Sequence, residues 1–365
     1  MIAYNTVILI ICALLLVSIF RGREKEQKTD IILNKNSTAV LRGAAILFIA
    51  LHHFSQYYDS LGFLQGPLKQ SGYAFTAVFF FFSGYGCFFS LKKYSELKGR
   101  KKFNAASAWF FKHSLRIYFD FIIIYLLDII ALYLLRESGD LTLSSVLKGA
   151  ITVTLPGWVC WYPKIQILCY FILTAAFLIS DKRKTVITLI ATVIYIAIAW
   201  FMKLPTMWFT SVICFPIGCI FAGHIPHITF SRKTLYAVFA ASTMVFGFLF
   251  IAQYKWNQAL FRTVSVIFLP FIIAAVTGLF GFKSKVLTAV GNMSFEIYLI
   301  HLVVLHILIQ DSIKNSVNSN AALLIILASS LLVGWLINKS VVRFTAALFP
   351  GKAKQKEEQK NKVQE

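Results

Sequence analysis

Long apolar runs alternate with short polar stretches along nearly the whole chain. Each run is about 17–25 residues, the length a helix needs to cross a bilayer. Eleven are expected, near 4–20, 39–56, 72–91, 114–136, 159–180, 185–202, 206–223, 234–252, 259–280, 287–310 and 321–343. Spanning strands would be shorter and would alternate apolar with polar residues, so the pattern predicts helices. The run at 206–223 contains Pro216 and has the weakest helical pattern. The fold class that follows is all-α: a polytopic integral membrane protein with about 11 transmembrane helices.

Composition agrees. Of 365 residues, 58% are hydrophobic and 14% charged, against roughly 45–50% and about 25% in soluble domains. So few charges cannot cover a water-soluble surface. Yet 36 Lys and Arg face only 15 Asp and Glu, a net charge of +21. In a soluble chain that excess points to nucleic acid; in an apolar chain it points to cations gathered on one side of a membrane, with no nucleic-acid partner expected.

The loops bear this out. Residues 21–35, 91–112, 182–184, 232–233, 283–285 and the stretch from Arg343 onward hold 25 cations, while the alternate loops hold seven: Lys69, Arg136, Lys148, Lys203, Lys255, Arg262 and Lys314. The positive-inside rule makes the rich loops cytoplasmic, with the N-terminus outside and the C-terminus inside a plasma or inner membrane. The first run has no charge before its core and Arg21-Gly22-Arg23 after it, the reverse of a signal peptide, so it reads as an uncleaved anchor. Three regions are expected: an extra N-terminal helix at 1–22, a membrane domain at 36–345, and a disordered basic tail at 346–365. The six cysteines lie in or at the ends of runs, without metal-type spacing, and His224 with His227 lacks a third ligand nearby.

Ionisable groups inside a bilayer are costly and normally face a cavity or a partner. Arg42 and His53 are eleven residues apart, about 16 Å along a helix and within about 20° of whole turns, so they share a face. His52 points away. Ser83-Gly84-Tyr85-Gly86 follows four phenylalanines and suits either close helix packing or a substrate surface. Arg116 and Asp120 are spaced to pair on one face, either as an interfacial anchor or as part of a phosphate site. Asp128 has no obvious partner. Ser294, Tyr298 and His301 form a polar stripe, with Glu296 facing away, that fits an interhelical ladder or a site. Trp158, Trp161 and Tyr162 fit an interfacial aromatic belt, and Lys164 and Gln166 just behind them need partners or water.

Together these blocks resemble the acyltransferase-3 family of integral-membrane acyltransferases. Leu41-Arg42-Gly43 through His52-His53 is similar to that family's arginine–ten residues–histidine signature, which selects His53. Phe82-Ser83-Gly84-Tyr85 resembles its second-helix motif, and Ser294 through His301 its late-helix motif. The ten runs from 39 to 343 correspond to the family's ten-helix core. Departures are the extra first helix and His113, which stands where the family often has the first of two arginines, leaving Arg116 alone. Some members also carry a fused extracellular esterase-like domain; none is expected here, so such a partner would be a separate extracytoplasmic chain.

The resemblance implies an O-acetyltransferase that moves acetyl from cytoplasmic acetyl-CoA to a hydroxyl of a cell-surface or lipid-linked glycan. His53 and Arg42 are the implied catalytic residues, with Arg42 and Arg116 holding CoA. Ser83, Gly84, Tyr85, Tyr298, His301, Trp161, Lys164 and Gln166 are expected to line the substrate path or stabilise the oxyanion. Imidazole suits deprotonation of a hydroxyl near neutral pH, or a covalent acyl relay. No metal is expected. The rival reading is a secondary transporter or flippase with a charge-lined solute path.

Overall fold

The computed structural model describes residues 2–22, 33–58, 65–135, 141–155, 160–224, 230–314 and 316–348. Most of the basic loop 21–35, Arg136, Trp158, His227 and the expected tail past Leu348 lie outside these residues.

The helices are α1 (Ile2–Gly22), α2 (Lys35–Tyr57), α3 (Gln65–Lys92), α4 (Gly99–Leu134), α5 (Leu143–Thr152), α6 (Trp161–Ile179), α7 (Lys184–Phe201), α8 (Cys214–His224), α9 (Arg232–Ala252), α10 (Gln258–Ser265), α11 (Leu269–Leu279), α12 (Lys285–Asn292), α13 (Ser294–Leu308), α14 (Asp311–Lys314) and α15 (Ser319–Leu348). Helix falls at every one of the eleven expected runs. Among the described residues, eight helical segments are long and apolar enough to span a membrane unaided, with α10 and α11 acting as one. The fold is a polytopic membrane bundle.

The structure revises several boundaries. The run at 287–310 is two helices, α12 and α13, bent by 74° at Met293. The run at 206–223 begins with a 3₁₀ turn and yields only the short α8. The basic stretch 91–112 is largely helix, since α4 starts at Gly99 and carries Arg100, Lys101, Lys102 and Lys112. The polar stretch between the fourth and fifth expected runs contains α5, started by a capping box in which Thr142 and Ser145 each satisfy the other's backbone N–H. The Tyr125 hydroxyl of α4 donates to the Val146 carbonyl at 2.8 Å and ties α5 down.

Two glycine-mediated contacts set the centre of the bundle. A Cβ at Gly43 of α2 would strike the Leu287 carbonyl of α12, and one at Gly291 would strike the Ala39 carbonyl in return. Gly84 of α3 and Gly218 of α8 form a second such pair, against the Phe215 and Phe81 carbonyls. Without side chains between them, the backbones approach closely and gain dispersion contact that lipid cannot supply. The extra helix α1 docks on the bundle, with buried Tyr4 stacked on Phe54 of α2 at 6.2 Å between ring centroids. Outer faces carry exposed Phe201, Phe248, Ile251 and Leu332, the apolar surface a bilayer requires.

Candidate active site

α2 is the spine of the site. Its apolar residues pack against α3 and α12, and its polar residues open onto two cavities, one toward each end of the helix. The cavity at the Lys35 end measures about 610 Å³ and is lined by Arg42, His113, Arg116, Asp120 and Glu296, together with Ser83, Tyr85, Gln166 and Tyr298. The cavity at the Tyr57 end measures about 560 Å³ and is lined by His52, His53, Gln56, Trp161 and Arg262, again with Tyr298. Ile49, Thr76 and Tyr298 belong to both walls. Arg42 and His53, phased onto one helix face, therefore serve two chambers that meet at a shared partition.

In the histidine cavity a chain of hydrogen bonds assigns the protons. The Leu68 carbonyl can only accept, so His52 Nδ1, 2.7 Å away, carries a hydrogen and its Nε2 is left as an acceptor. The Gln56 amide nitrogen donates to that Nε2 at 3.2 Å, which turns the amide oxygen toward His53 Nδ1 at 3.3 Å. His53 must donate there, so its Nε2 holds the free lone pair that a general base needs. His301 is oriented the same way: its Nδ1 donates to the Ile297 carbonyl at 2.9 Å. Its Nε2 is buried without a hydrogen-bond partner, and the ring lies 5.2 Å from that of His53. Gly72 makes room for the arrangement, because a Cβ there would enter the His52 ring.

In the arginine cavity, Arg42 Nε is buried without a partner and Arg116 is 46% exposed. The expected Arg116–Asp120 pairing does not form: Arg116 Nη2 instead approaches Glu296 at 3.9 Å, while Asp120 Oδ1 is buried without a hydrogen-bond partner. The bend at Met293 swings the first turn of α13 into the cavity, which brings Glu296 within reach of α4. Glu296 is buried and also accepts from Asn338 Nδ2 at 2.6 Å, so it is part of the cavity wall although it lies off the Ser294–Tyr298–His301 stripe. His113 lines the cavity beside Arg116, with its Nδ1 donating to the Trp109 carbonyl at 2.7 Å.

The remaining sequence-derived residues divide. Tyr162 donates to Gln166 Oε1 at 3.2 Å, and Gln166 Nε2 donates to Ser83 Oγ at 2.7 Å, which joins α6 to α3 across the arginine cavity. Tyr85 also lines it. Gly84 lines neither cavity and is spent on contact with α8. Lys164 lies apart from both, with its ammonium 3.0 Å from Thr154 Oγ1 and over the Trp208 ring at 5.6 Å. Trp161 and Tyr162 do not form an interfacial belt; both are buried, with Tyr162 5.0 Å from Phe80 and 5.2 Å from Tyr298 between centroids. Asp128 meets His306 at 3.5 Å, and Cys160 is fully buried.

Gln56, Thr76 and Gly72 complete the cavities and are not singled out by the sequence, which marks Glu296 only as facing away from the polar stripe and Arg262 only as a loop cation. Gln56 was within reach of such a reading, since it stands three residues after His53 and four after His52, both spacings that bring side chains together on a helix.

Among the described residues no group of three or more His, Cys, Asp or Glu could hold a metal ion. Comparison with curated proteins and with solved structures found no match. A family model described as an acyltransferase domain, that of acyltransferase-3, matches residues 36–339. That match takes in nearly all of α2 through most of α15, and with them the lining of both cavities apart from Leu33 and Lys35. The chain is a multi-pass membrane acyltransferase and belongs to the acyltransferase-3 family.

Proposed function

We propose that the protein transfers acetyl from acetyl-CoA to a hydroxyl of a cell-surface or lipid-linked glycan, with His53 as the base. The observation that carries this reading is the Leu68–His52–Gln56–His53 hydrogen-bond chain, which leaves His53 Nε2 unprotonated on a cavity wall. A second cavity bearing two guanidinium groups meets it at Ile49, Thr76 and Tyr298.

The arginine cavity opens toward the Lys35 end of α2, the end that cation-rich loops mark as cytoplasmic. Arg42 and Arg116 suit the phosphates of CoA, since guanidinium forks bind phosphate through paired hydrogen bonds. The acyl end of the donor then lies toward the shared partition. The glycan enters the histidine cavity from the opposite side.

In the reaction the acceptor oxygen bonds the thioester carbonyl carbon while its proton passes to His53 Nε2. The carbon–sulfur bond breaks, and the leaving CoA sulfur receives the proton from His53, which returns to its starting state. The lone pair of His301 beside His53 suits the transient imidazolium. The Tyr298 hydroxyl, in the partition, suits the developing oxyanion.

A transporter built from repeats would carry a second bent helix pair related to α12–α13, and one such pair is present among the described residues. The test is purified protein with labelled acetyl-CoA and envelope glycans. We expect labelled glycan and free CoA from the wild type, and a fall of roughly 100-fold or more in His53→Ala, the usual cost of removing a general base. Normally folded His53→Ala with undiminished transfer would remove the central assignment.

A further inference from the structure

Among the described residues, the wall of the histidine cavity carries the Arg262 guanidinium and no carboxylate. Arg262 of α10 lines it together with His52, His53 and Lys69. The guanidinium is fixed in place by neutral groups only. Its Nε donates to Gln253 Oε1 at 2.8 Å, its Nη2 donates to Gln70 Oε1, and its plane lies over the Tyr73 ring, 5.4 Å from the centroid. Tyr73 is held in turn by its hydrogen bond to Ser265 at 3.2 Å. Two of five N–H donors are used, so the fork retains free donors.

A guanidinium merely escaping the bilayer would extend to the surface and gain water. Arg262 is instead half-buried and tethered on two sides, with a third contact beneath it. Holding a charge in a membrane cavity without a counterion is costly, and a preorganised fork of this kind repays the cost when a carboxylate or phosphate arrives. The arginine cavity contrasts with it, because there Glu296 and Asp120 accompany the arginines.

We propose that the acceptor is anionic: it carries a carboxylate or phosphate that docks on Arg262, and this contact presents a neighbouring hydroxyl to His53 Nε2. The proposal rests on the transferase reading above and names the class of acceptor for that site. Arg262 binds the acceptor and takes no part in moving the proton.

The test uses the full-length protein in phosphatidylcholine nanodiscs, given labelled acetyl-CoA and the total surface and lipid-linked glycans of the cell that makes it. The expected product is labelled glycan that an anion exchanger retains at neutral pH. In Arg262→Gln the KM for the glycan rises at least about tenfold, as for the loss of one charge-assisted contact, while the KM for acetyl-CoA stays within twofold. Blocking the glycan carboxylates by methyl esterification, or removing phosphates with a phosphatase, produces the same rise in the wild type and none in Arg262→Gln. Label in the neutral flow-through overturns the proposal, as does an unchanged glycan KM in Arg262→Gln. A lipid headgroup as the true anion gives a different result: phosphatidylglycerol in the discs raises wild-type activity but not that of Arg262→Gln, and glycan charge has no effect. Absence of label in every fraction defeats the transferase reading itself, and this one with it.

Discussion

His53 owes its chemical state to Gln56. Free imidazole divides its proton between two nitrogens, and only the form with Nε2 bare can accept a proton from an acceptor in the cavity. Gln56 fixes that form through a chain anchored on the Leu68 carbonyl. Gln56→Ala is therefore expected to lower kcat roughly tenfold, the loss of about 1–1.5 kcal/mol of orienting hydrogen bond, with the KM for acetyl-CoA unchanged. Gln56→Glu, which keeps an oxygen for His53 Nδ1 but cannot donate to His52, should recover part of the loss, and steady-state kinetics on both variants checks this. A purely structural role would instead reduce folded protein and leave the kcat of the remainder intact. At this scale the sequence was legible where polarity is expensive. His301 stands out because a bilayer penalises it in mid-run, and Arg42 and His53 because they share one face of a single run. Gln56 and Arg262 stand near the ends of runs, where polar residues are ordinary, and only their partners reveal them.

Among the helices, periodicity and length located a helix at each of the eleven expected runs, since transfer free energy acts on each run separately, although only eight described segments are long and apolar enough to span unaided. The break at Met293 was not legible, because it depends on tertiary contact. α12 is held against α2 by the Gly43–Gly291 approach, and α13 leaves at 74° to pack beside α15 and α2. The same contact explains why an Arg116–Asp120 pair, reasonable on an isolated helix, gives way to Arg116–Glu296: the bend brings a carboxylate from another element within reach. Gly291→Ala places a methyl group in the Ala39 carbonyl, where backbone cannot yield cheaply. We expect it to cost about 1–3 kcal/mol, the usual penalty of overpacking, and to lower the thermal unfolding temperature in detergent. Gly247→Ala in α9, which meets nothing within 4 Å, serves as the control and should be neutral or slightly stabilising. Equal unfolding temperatures for the two variants would mean that the α2–α12 contact can relax.

Across the whole molecule, the uneven spread of cations among the loops says nothing of interior space. The two cavities arise from which faces α2, α3, α6 and α13 turn to one another, and no single run carries that information. Their meeting point is what an acyl group must cross if donor and acceptor arrive from opposite ends. Thr76 stands there, 5% exposed, lining both cavities and hydrogen-bonded through its Oγ1 to the Gly72 carbonyl of its own helix at 2.8 Å. That bond satisfies the hydroxyl locally, so the side chain's contribution to the partition is chiefly its small volume. Thr76→Phe adds bulk at the junction and leaves Arg42, Arg116 and the residues of the His53 hydrogen-bond chain unsubstituted. Binding of acetyl-CoA, measured by calorimetry, is expected to stay within about twofold, while transfer to glycan falls by about 100-fold, a barrier increase of roughly 2.7 kcal/mol. Thr76→Val has nearly the same volume and removes only the hydroxyl, so it should retain most activity. The pair separates the opening from the hydroxyl: loss of transfer in both variants would assign Thr76 a hydrogen-bonding role, and full transfer in Thr76→Phe would mean that the acyl group takes another route past Tyr298.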